Sequence, residues 1–171
     1  MTWNVLTDDG KIKSKFLDID QEMIDGLISE IDELGDQENR RTNVQGNMTA
    51  YRTHSPHFAK LRKIVRKNLD FKIVKILDLW GHTLKGLDHI LPHTHEGMWN
   101  PEEYGSFVFY LDVPEGSGEL YFPTYDLELK PENKMFVYFN VDVLHEVLPN
   151  HDPNILTICK LPAVEILIQR S

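Results

Sequence analysis

Residues 106–122 read Ser106-Phe107-Val108-Phe109-Tyr110-Leu111-Asp112-Val113-Pro114-Glu115-Gly116-Ser117-Gly118-Glu119-Leu120-Tyr121-Phe122. The runs 106–113 and 119–122 are rich in aromatic and β-branched residues, which is typical of strands, and the Pro-Glu-Gly-Ser-Gly segment between them has the composition of a turn. The same texture recurs at 71–80, 134–140, 155–161 and 164–168 without helical patterns in between. Short strands at this spacing predict a mainly β fold, an antiparallel sandwich or barrel of jelly-roll type.

Two helices are predicted before these strands. Asp20 can cap a helix that ends at Gly35, because apolar residues recur in it at intervals of three and four. Ser55 and Pro56 suit a second helix start, and Phe58, Leu61, Val65 and Leu69 form its apolar stripe. Residues 36–54 are polar and lack periodicity, which predicts a long surface connection. Both helices should pack outside one sheet of the roll.

Length and composition fit one soluble domain over residues 1–171, with a helical N-terminal part, 1–70, and a jelly-roll core, 71–171. The chain has 171 residues, of which 41% are hydrophobic, enough for a single core. Its net charge of −9 opposes nonspecific binding to nucleic acid or anionic lipid. The single cysteine, Cys159, excludes an internal disulfide, and no apolar run reaches the roughly 18 residues that span a bilayer. We therefore expect a cytoplasmic protein with no nucleic-acid or membrane partner.

Two histidines, His93 and His95, lie two residues apart in strand-like sequence. Strand side chains alternate between faces, so both imidazoles should point the same way. If the strand that carries His145 folds back beside them, three ring nitrogens converge on one point. Neutral imidazoles suit iron, zinc, nickel or copper better than magnesium or calcium. The pattern therefore predicts a metal site formed by His93, His95 and His145.

The order of several motifs resembles the small Fe(II)- and 2-oxoglutarate-dependent oxygenases, especially the short versions found in phages and marine bacteria. The matching pieces cover most of the chain: Gln45-Gly46-Asn47-Met48-Thr49 with the helix after Ser55, Pro92-His93-Thr94-His95, the segments 105–111 and 114–122, Pro131 with 135–139, and His145-Glu146-Val147-Leu148-Pro149-Asn150. The resemblance implies a double-stranded β-helix that holds Fe(II), with 2-oxoglutarate as co-substrate and O2 as oxidant. Hydroxylation of a small molecule or a protein side chain would be the reaction.

The ligand set of that group is a histidine, a carboxylate two residues later and a distant histidine. By resemblance His93 and His145 match, but His95 stands at the position of the carboxylate. Three neutral imidazoles leave the full +2 charge of the ion, which favours an anionic bidentate co-substrate and is also seen in three-histidine zinc sites. Glu96 is the alternative second ligand, although strand alternation turns it to the opposite face.

The resemblance also implies an arginine for the far carboxylate of 2-oxoglutarate, two residues before a serine or threonine. Here Thr157 can supply the hydroxyl, but Ile155 stands where the arginine is expected. Another residue must then bind this carboxylate, because burying it without a partner costs several kcal/mol. The sequence leaves these candidates open: Lys160, Lys134, Lys85 and Arg52 as cations, and Tyr110, Tyr121 and His82 as hydrogen-bond donors.

Three functions fit these residues. The first is a 2-oxoglutarate oxygenase, the second a cupin-like three-histidine metalloenzyme that does not use 2-oxoglutarate, and the third a non-catalytic binding or structural roll. The segment 97–104, which follows the two histidines and breaks the strand pattern, is expected to form a mobile lid over the metal. The residues do not identify the substrate.

Overall fold

The computed structural model of the protein describes residues 2–35, 43–69, 72–97, 99–150 and 160–170. Two helices, α1 (Gln21–Leu34) and α2 (Pro56–Asn68), accompany twelve strands in these ranges. The strands are β1 (Asn4–Val5), β2 (Ile12–Phe16), β3 (Val44–Gln45), β4 (Asn47–Met48), β5 (Ile73–Lys85), β6 (His89–His93), β7 (Tyr104–Tyr110), β8 (Leu120–Phe122), β9 (Leu127–Leu129), β10 (Met135–Asn140), β11 (His145–Val147) and β12 (Lys160–Arg170). A short 3₁₀ helix, Pro123–Tyr125, joins β8 to β9.

The strands form two antiparallel sheets. The large sheet has the order β1-β2-β10-β7-β12-β5-β4, and the small sheet has the order β3-β6-β11-β8-β9. From β5 onward the chain alternates between them except at the β8–β9 hairpin, so that β5, β7, β10 and β12 belong to the large sheet and β6, β8, β9 and β11 to the small one. This alternation produces an eight-stranded jelly roll, the double-stranded β-helix, and the predicted fold class is confirmed.

Alternating side chains of β7 divide the core into two layers. Phe107 and Phe109 face the helices, where they pack in one apolar cluster with residues of α1 and α2. Val108 and Tyr110 face the other way and pack between the two sheets. Because successive strand residues point to opposite faces, one strand contributes to both layers. The interior between the sheets is the space that the histidines share.

Both helices begin where the sequence predicts. The Asp20 side chain accepts a hydrogen bond of 2.8 Å from the Met23 backbone N–H and so caps α1. Pro56 occupies the first turn of α2, but the Ser55 hydroxyl donates to the Glu30 carboxylate of α1 instead of capping its own helix. The helices pack closely on β5 because Gly81 has no side chain: a Cβ there would lie 2.3 Å from Ile31 Cγ1. None of the described helices is long and apolar enough to cross a membrane.

Two sequence-based boundaries are wrong. Residues 36–42 of the predicted surface connection lie outside the described residues, but 43–54 is not a plain loop, because β3 pairs with β6 and β4 pairs with β5. The N-terminal part, 1–70, therefore contributes four strands as well as two helices. Residues 155–159 also lie outside the described residues, and β12 runs unbroken from Lys160 through Pro162 to Arg170 rather than breaking before residue 164. The pairing of β12 with β7 begins at Ala163, so Pro162, which cannot donate, lies beyond the last pair of this ladder, and its carbonyl accepts a hydrogen bond from Leu111 N–H.

Candidate metal centre

His93 and His145 face each other across two neighbouring strands of the small sheet. His93 is the last residue of β6 and His145 the first of β11, and the antiparallel register pairs their Cα atoms directly. Opposite residues of such a pair have Cβ atoms about 5 Å apart, so the rings can meet. Their ring centroids are 4.2 Å apart. The expected return of the His145 strand beside His93 is present in the fold.

His95 joins this pair from just beyond the end of β6. Its backbone N–H donates to the Val141 carbonyl at 2.8 Å, which holds the residue beside the start of β11. The ring centroid of His95 lies 4.8 Å from that of His93 and 5.0 Å from that of His145. One potential ligand nitrogen from each of the three rings lies within 4.8 Å of the others. The three histidines therefore form a cluster that a small contraction would close around a metal ion.

Hydrogen bonds orient two of the three rings. His93 Nδ1 donates to the Leu91 carbonyl at 2.8 Å, and His145 Nδ1 donates to the Val143 carbonyl at 2.9 Å. Because a carbonyl can only accept, each Nδ1 carries the proton and each Nε2 keeps its lone pair. Metal-binding histidines commonly donate their second ring nitrogen to a carbonyl in this way. The Nε2 atoms of His95 and His145 are buried and have no hydrogen-bond partner among the described residues, as a site for an ion requires.

The environment keeps these imidazoles neutral. Burial, assisted by the nearby His93 ring, lowers the pKa of His95 to about 3. Burial is the main cause that lowers the pKa of His145 well below its ordinary value, and repulsion from His93 and His95 in their protonated forms adds to it. Burial also lowers the pKa of His93, against a smaller opposing effect of the hydrogen bond to Leu91. Because only a neutral imidazole can bind a metal, the donor set fits a divalent transition metal.

Glu96, the alternative second ligand, does not join the cluster. Its side chain is exposed, and Gly97 follows it with a φ of 32°. The cluster contains His95 and not Glu96, in agreement with the alternation argument. Regular strand pairing ends at His93, and His95 is held beside β11 by the single backbone hydrogen bond to the Val141 carbonyl.

Three polar side chains from the large sheet project into the same interior. They are His82 of β5, Tyr110 of β7 and Glu165 of β12, and each is almost fully buried. His82 Nδ1, Tyr110 Oη and Glu165 Oε2 have no hydrogen-bond partner among the described residues. Burial raises the pKa of Glu165 to about 8 and, with the nearby Glu165, also raises the pKa of Tyr110. Unsatisfied polar groups in one interior indicate room for a polar ligand.

Glu165 is the site residue that sequence reasoning missed. A signal was present, because it is the only charged residue in the apolar run 161–168, where buried carboxyl groups are rare. The spacing of the histidines gives no indication of a carboxyl group on another strand. Its contacts show its place: Oε1 lies 3.4 Å from His82 Nδ1, and Oε2 lies 3.9 Å from His95 Nε2.

The other candidates for the co-substrate carboxylate are placed differently. Thr157 and the side chain of Lys160 lie outside the described residues. Three further candidates have partners elsewhere: Lys134 Nζ donates to the Ile19 carbonyl, Arg52 pairs with Asp78, and the Tyr121 hydroxyl donates to Asp126. Lys85 ends β5, at the register position opposite Lys160. Among the described candidates, Tyr110 and His82 are the two that lie in the interior.

A cavity of about 140 Å³ leads to the histidines from the surface. Its mouth is aromatic, since Tyr51 is 47% exposed and its ring meets that of Trp80 edge to face at 5.2 Å. His93, His95 and Glu165 form its polar end.

The segment 97–104, which was expected to act as a lid, packs near this cavity, with the Trp99 ring 4.7 Å from that of Tyr104. Arg170 donates to the carbonyls of Pro101 and Glu102 and holds this segment against β12. The mobility of the segment 97–104 remains a prediction.

We expect the metal-free protein to lose stability as the pH falls from 6.5 towards 4. Burial, and then the charge of His93, lowers the pKa of His82 from 6.5 to about 4. The unfolded state therefore binds one more proton in this window, and the free energy of unfolding falls with the pH. The contribution of His82, about 3 kcal/mol, is fully present above pH 6.5 and is lost by about pH 4. Urea unfolding in the presence of a chelator, at pH 6.5 and 4.5, measures it.

The variant His82→Gln isolates this contribution. The other buried histidines add to the same trend, whereas Glu165, with its raised pKa, acts in the opposite direction. The difference between wild type and His82→Gln gives the contribution of His82 together with its coupling to the contacting Glu165 carboxyl group. Exposed His54→Gln serves as the control and should retain the full pH dependence. An unchanged pH dependence in His82→Gln would contradict the assignment.

Comparisons with known proteins support the fold. No protein-family model matches the sequence, and no curated protein sequence matches it. Solved structures do match. The viral collagen prolyl hydroxylase of Paramecium bursaria Chlorella virus-1, in its 2-oxoglutarate complex, has a TM-score of 0.70 at 16% identity and covers 94% of this chain and 97% of its own. A prolyl-4-hydroxylase of Pseudomonas putida has a TM-score of 0.64 at 14% identity, covering 94% and 93%.

A third match is the prolyl hydroxylase of Trichoplax adhaerens in complex with a peptide of the hypoxia inducible factor oxygen degradation domain. Its TM-score is 0.66 at 11% identity, and the match covers 94% of this chain and 83% of that one. At such identities the likeness is one of fold, and it extends over nearly the whole chain. The protein therefore has the double-stranded β-helix fold of these prolyl hydroxylases, with a cluster of three histidines between its sheets.

Proposed function

We propose that the protein is an Fe(II)- and 2-oxoglutarate-dependent oxygenase that hydroxylates a C–H bond of its substrate. The observation that carries this proposal is the convergence of His93, His95 and His145 inside a double-stranded β-helix. The Nε2 atoms of His95 and His145 are buried and have no hydrogen-bond partner in the part of the chain that the structure describes. The fold is shared with structures of prolyl hydroxylases, one of them a 2-oxoglutarate complex. Site and fold support the same reaction class independently.

In this proposal His93, His95 and His145 hold the iron by three neutral nitrogens. When bound, the ion and 2-oxoglutarate would supply the electrons that activate O2, which is the oxidant of the C–H bond. The hydrogen bonds from the Nδ1 atoms of His93 and His145 fix their rings, so that both Nε2 atoms stay aimed into the cluster. Burial of His145, which is 2% exposed, excludes water from this side of the site.

Tyr110 and His82 are the residues that we assign to the co-substrate. Both lie between the sheets with polar atoms that lack a partner among the described residues. The Tyr110 hydroxyl stays protonated, because burial raises its pKa, and can donate a hydrogen bond to a carboxylate. His82 stays neutral and offers a second ring N–H. Thr157 and Lys160 keep their proposed roles as hydroxyl and cationic partners of the same carboxylate.

For the substrate, we propose the side chain of a protein or peptide rather than a free small molecule. The cavity to the histidines opens at an exposed aromatic ring, Tyr51, beside Trp80 and Met48. Such a mouth suits an apolar side chain presented by a chain that stays outside. The structure from Trichoplax adhaerens contains a bound peptide, which shows that this fold accommodates one. The single cysteine fits action in the cytoplasm, as the sequence led us to expect.

The decisive experiment is anaerobic reconstitution with Fe(II). Addition of 2-oxoglutarate should produce the visible metal-to-ligand charge-transfer band, and admission of O2 should release succinate slowly even without substrate. Wild type is compared with His93→Ala, which should show neither signal. A protein that holds zinc tightly but gives neither band nor succinate is instead a three-histidine metalloenzyme without 2-oxoglutarate.

That second candidate has its own specific support. His95 occupies the position of the carboxylate, so the three histidines provide no anionic ligand. Three imidazoles around one ion also form the zinc sites that activate water. The two candidates differ in the response to 2-oxoglutarate. Failure to retain any metal would contradict both.

A further inference from the structure

The cavity that leads to the histidines is lined by acidic and aromatic side chains. Asp78 and Glu165 supply two carboxyl groups, and Tyr51 and Trp80 supply two aromatic rings. No lysine or arginine belongs to the lining in the part of the chain that the structure describes. A cavity of this composition favours a positively charged ligand, because carboxyl groups attract cations and accept their hydrogen bonds.

Strand register places the two carboxyl groups on the same wall of the cavity. β12 pairs with β5 so that Glu165 lies opposite Trp80, and Leu167 lies opposite Asp78. Glu165 and Asp78 are therefore diagonal neighbours on one face of the sheet, about 7–8 Å apart, which one long side chain can span. The Asp78 side chain is 25% exposed and that of Glu165 only 3%. A ligand that enters from the surface thus meets Asp78 first and Glu165 second.

The deeper carboxyl group lacks a partner. Glu165 is the only acidic residue in the described ranges that is fully buried, and its Oε2 has no hydrogen-bond partner among the described residues. No lysine or arginine of the described chain forms an ion pair with it. Buried polar atoms in folded proteins normally have a partner. This oxygen, at the inner end of a cavity, is available to accept a hydrogen bond from an N–H group of a ligand.

The outer carboxyl group has a partner that a ligand can displace. Asp78 Oδ1 accepts a hydrogen bond of 3.1 Å from Arg52 Nε, but the Arg52 side chain is 77% exposed. Exposed ion pairs contribute little to stability, because water competes for both groups. Arg52 itself is not part of the cavity lining. Its guanidinium group shows the kind of cation that Asp78 binds, in a contact weak enough to be exchanged.

Aromatic rings stand beside the two carboxyl groups. The rings of Tyr51 and Trp80 meet edge to face at 5.2 Å. Burial raises the pKa of Tyr51, and the charges of Glu165 and Asp78 raise it further, so both acidic groups act on this ring. Aromatic faces attract ammonium and guanidinium groups, and apolar surfaces also pack against the methylene stems that carry them.

We propose that the substrate side chain is positively charged, a lysine or an arginine of a protein or peptide, which Asp78, Glu165 and the Tyr51–Trp80 pair bind together. The inference rests on the proposed function and narrows its substrate: the apolar part of the side chain is the methylene stem, which passes the aromatic mouth. The net charge of −9 attracts a basic segment from a distance. The dianionic co-substrate offsets the charge of the ion, so the loaded site does not repel the cation.

Calorimetric titration of the protein loaded anaerobically with Fe(II) and 2-oxoglutarate tests this selectivity. The probes are blocked peptides, acetyl-Gly-Gly-X-Gly-Gly-amide, in which X is lysine, arginine, norleucine or proline. Norleucine is an uncharged analogue of lysine, and proline represents the similar prolyl hydroxylase structures. We expect the lysine or the arginine peptide to bind at least about tenfold more tightly than both neutral peptides, because hydrogen bonds to charged groups contribute at least this much.

Three variants locate the selectivity. Asp78→Asn should lower the affinity for the preferred basic peptide at least about tenfold and leave the affinity for the norleucine peptide unchanged. Arg52→Gln is the matched control, because it removes the other member of the ion pair and should not weaken the binding of the basic peptide. Tyr51→Leu, which keeps an apolar mouth without the ring, should weaken it about threefold.

The charge-transfer band of the loaded protein separates failure of this inference from failure of the proposed function. With the band present, the inference is overturned by equal affinity for basic and neutral peptides, by tighter binding of the proline peptide, by no binding of either basic peptide, or by an unchanged preference in Asp78→Asn. The proposed function still stands in each of these cases. Absence of the band would overturn the proposed function and this inference with it.

Discussion

Replacement of His145 by alanine is expected to abolish metal retention at neutral pH. His145 is the most buried of the three histidines, and no described residue is a hydrogen-bond partner of its Nε2, which leaves this nitrogen for the ion that we propose. Structural zinc sites with four ligands bind by about 10–16 kcal/mol, so one ligand corresponds to roughly 3 kcal/mol or more. The affinity should therefore fall by over about a hundredfold. Equilibrium dialysis against Fe(II) under anaerobic conditions, followed by metal analysis, measures the effect.

Two variants control this experiment. His89→Ala removes a histidine from the same strand as His93, but its ring bonds to the Leu87 carbonyl and lies outside the cluster. Glu96→Ala removes the exposed alternative ligand. Both should retain metal as the wild type does. Loss of metal in Glu96→Ala would show that this carboxylate, rather than the ring of His95, is the second ligand. Retention in His145→Ala would end the case for the site.

The variant Phe58→Ala is expected to destabilise the protein by about 3–5 kcal/mol. Phe58 of α2 is fully buried and packs, with Ile31 of α1, over Gly81 of β5. Truncation leaves a cavity between helices and sheet that rigid neighbours on both sides cannot fill. Urea unfolding of the metal-free protein gives the free energy of unfolding.

Leu34→Ala is the matched control, because Leu34 ends α1 and is 47% exposed. It should change the free energy of unfolding by only about 0.5 kcal/mol. A similar small effect in Phe58→Ala would mean that the helices contribute little to holding the large sheet. The roll would then be stable on its own, contrary to the layered packing described above.

Local patterns predicted the parts of the fold that depend on local physics. The strand composition of β7 and the turn after it were readable, as was the cap of α1 at Asp20, because each depends on neighbours in sequence. The pairing of His93 with His145 followed from the resemblance and from strand alternation. The strand, the turn and the helix cap are features that a short stretch of chain fixes by itself, whereas the pairing of β11 with β6 is not local.

What the sequence did not reveal depends on contacts between distant segments. β3 and β4 have only two residues each, too few to show a period, and they exist because β6 and β5 offer edges to pair with. Pro162 looked like the end of a strand, yet its carbonyl still bonds to Leu111. Glu165 carried a compositional signal, but only the fold brings it within 3.9 Å of His95. Long-range pairing, and not propensity, decided each of these cases.

The strands on either side of Gly46 pair with different sheets: β3 pairs with β6 of the small sheet, and β4 pairs with β5 of the large sheet. Each sheet would otherwise end there in a row of free amide and carbonyl groups, which invites pairing with another molecule. Gly46 permits the crossing because a Cβ there would lie 2.9 Å from the Thr83 carbonyl oxygen. This short segment thus covers part of the edge of β6 and part of the edge of β5 at the same time. Its loss would make the protein prone to self-association along both.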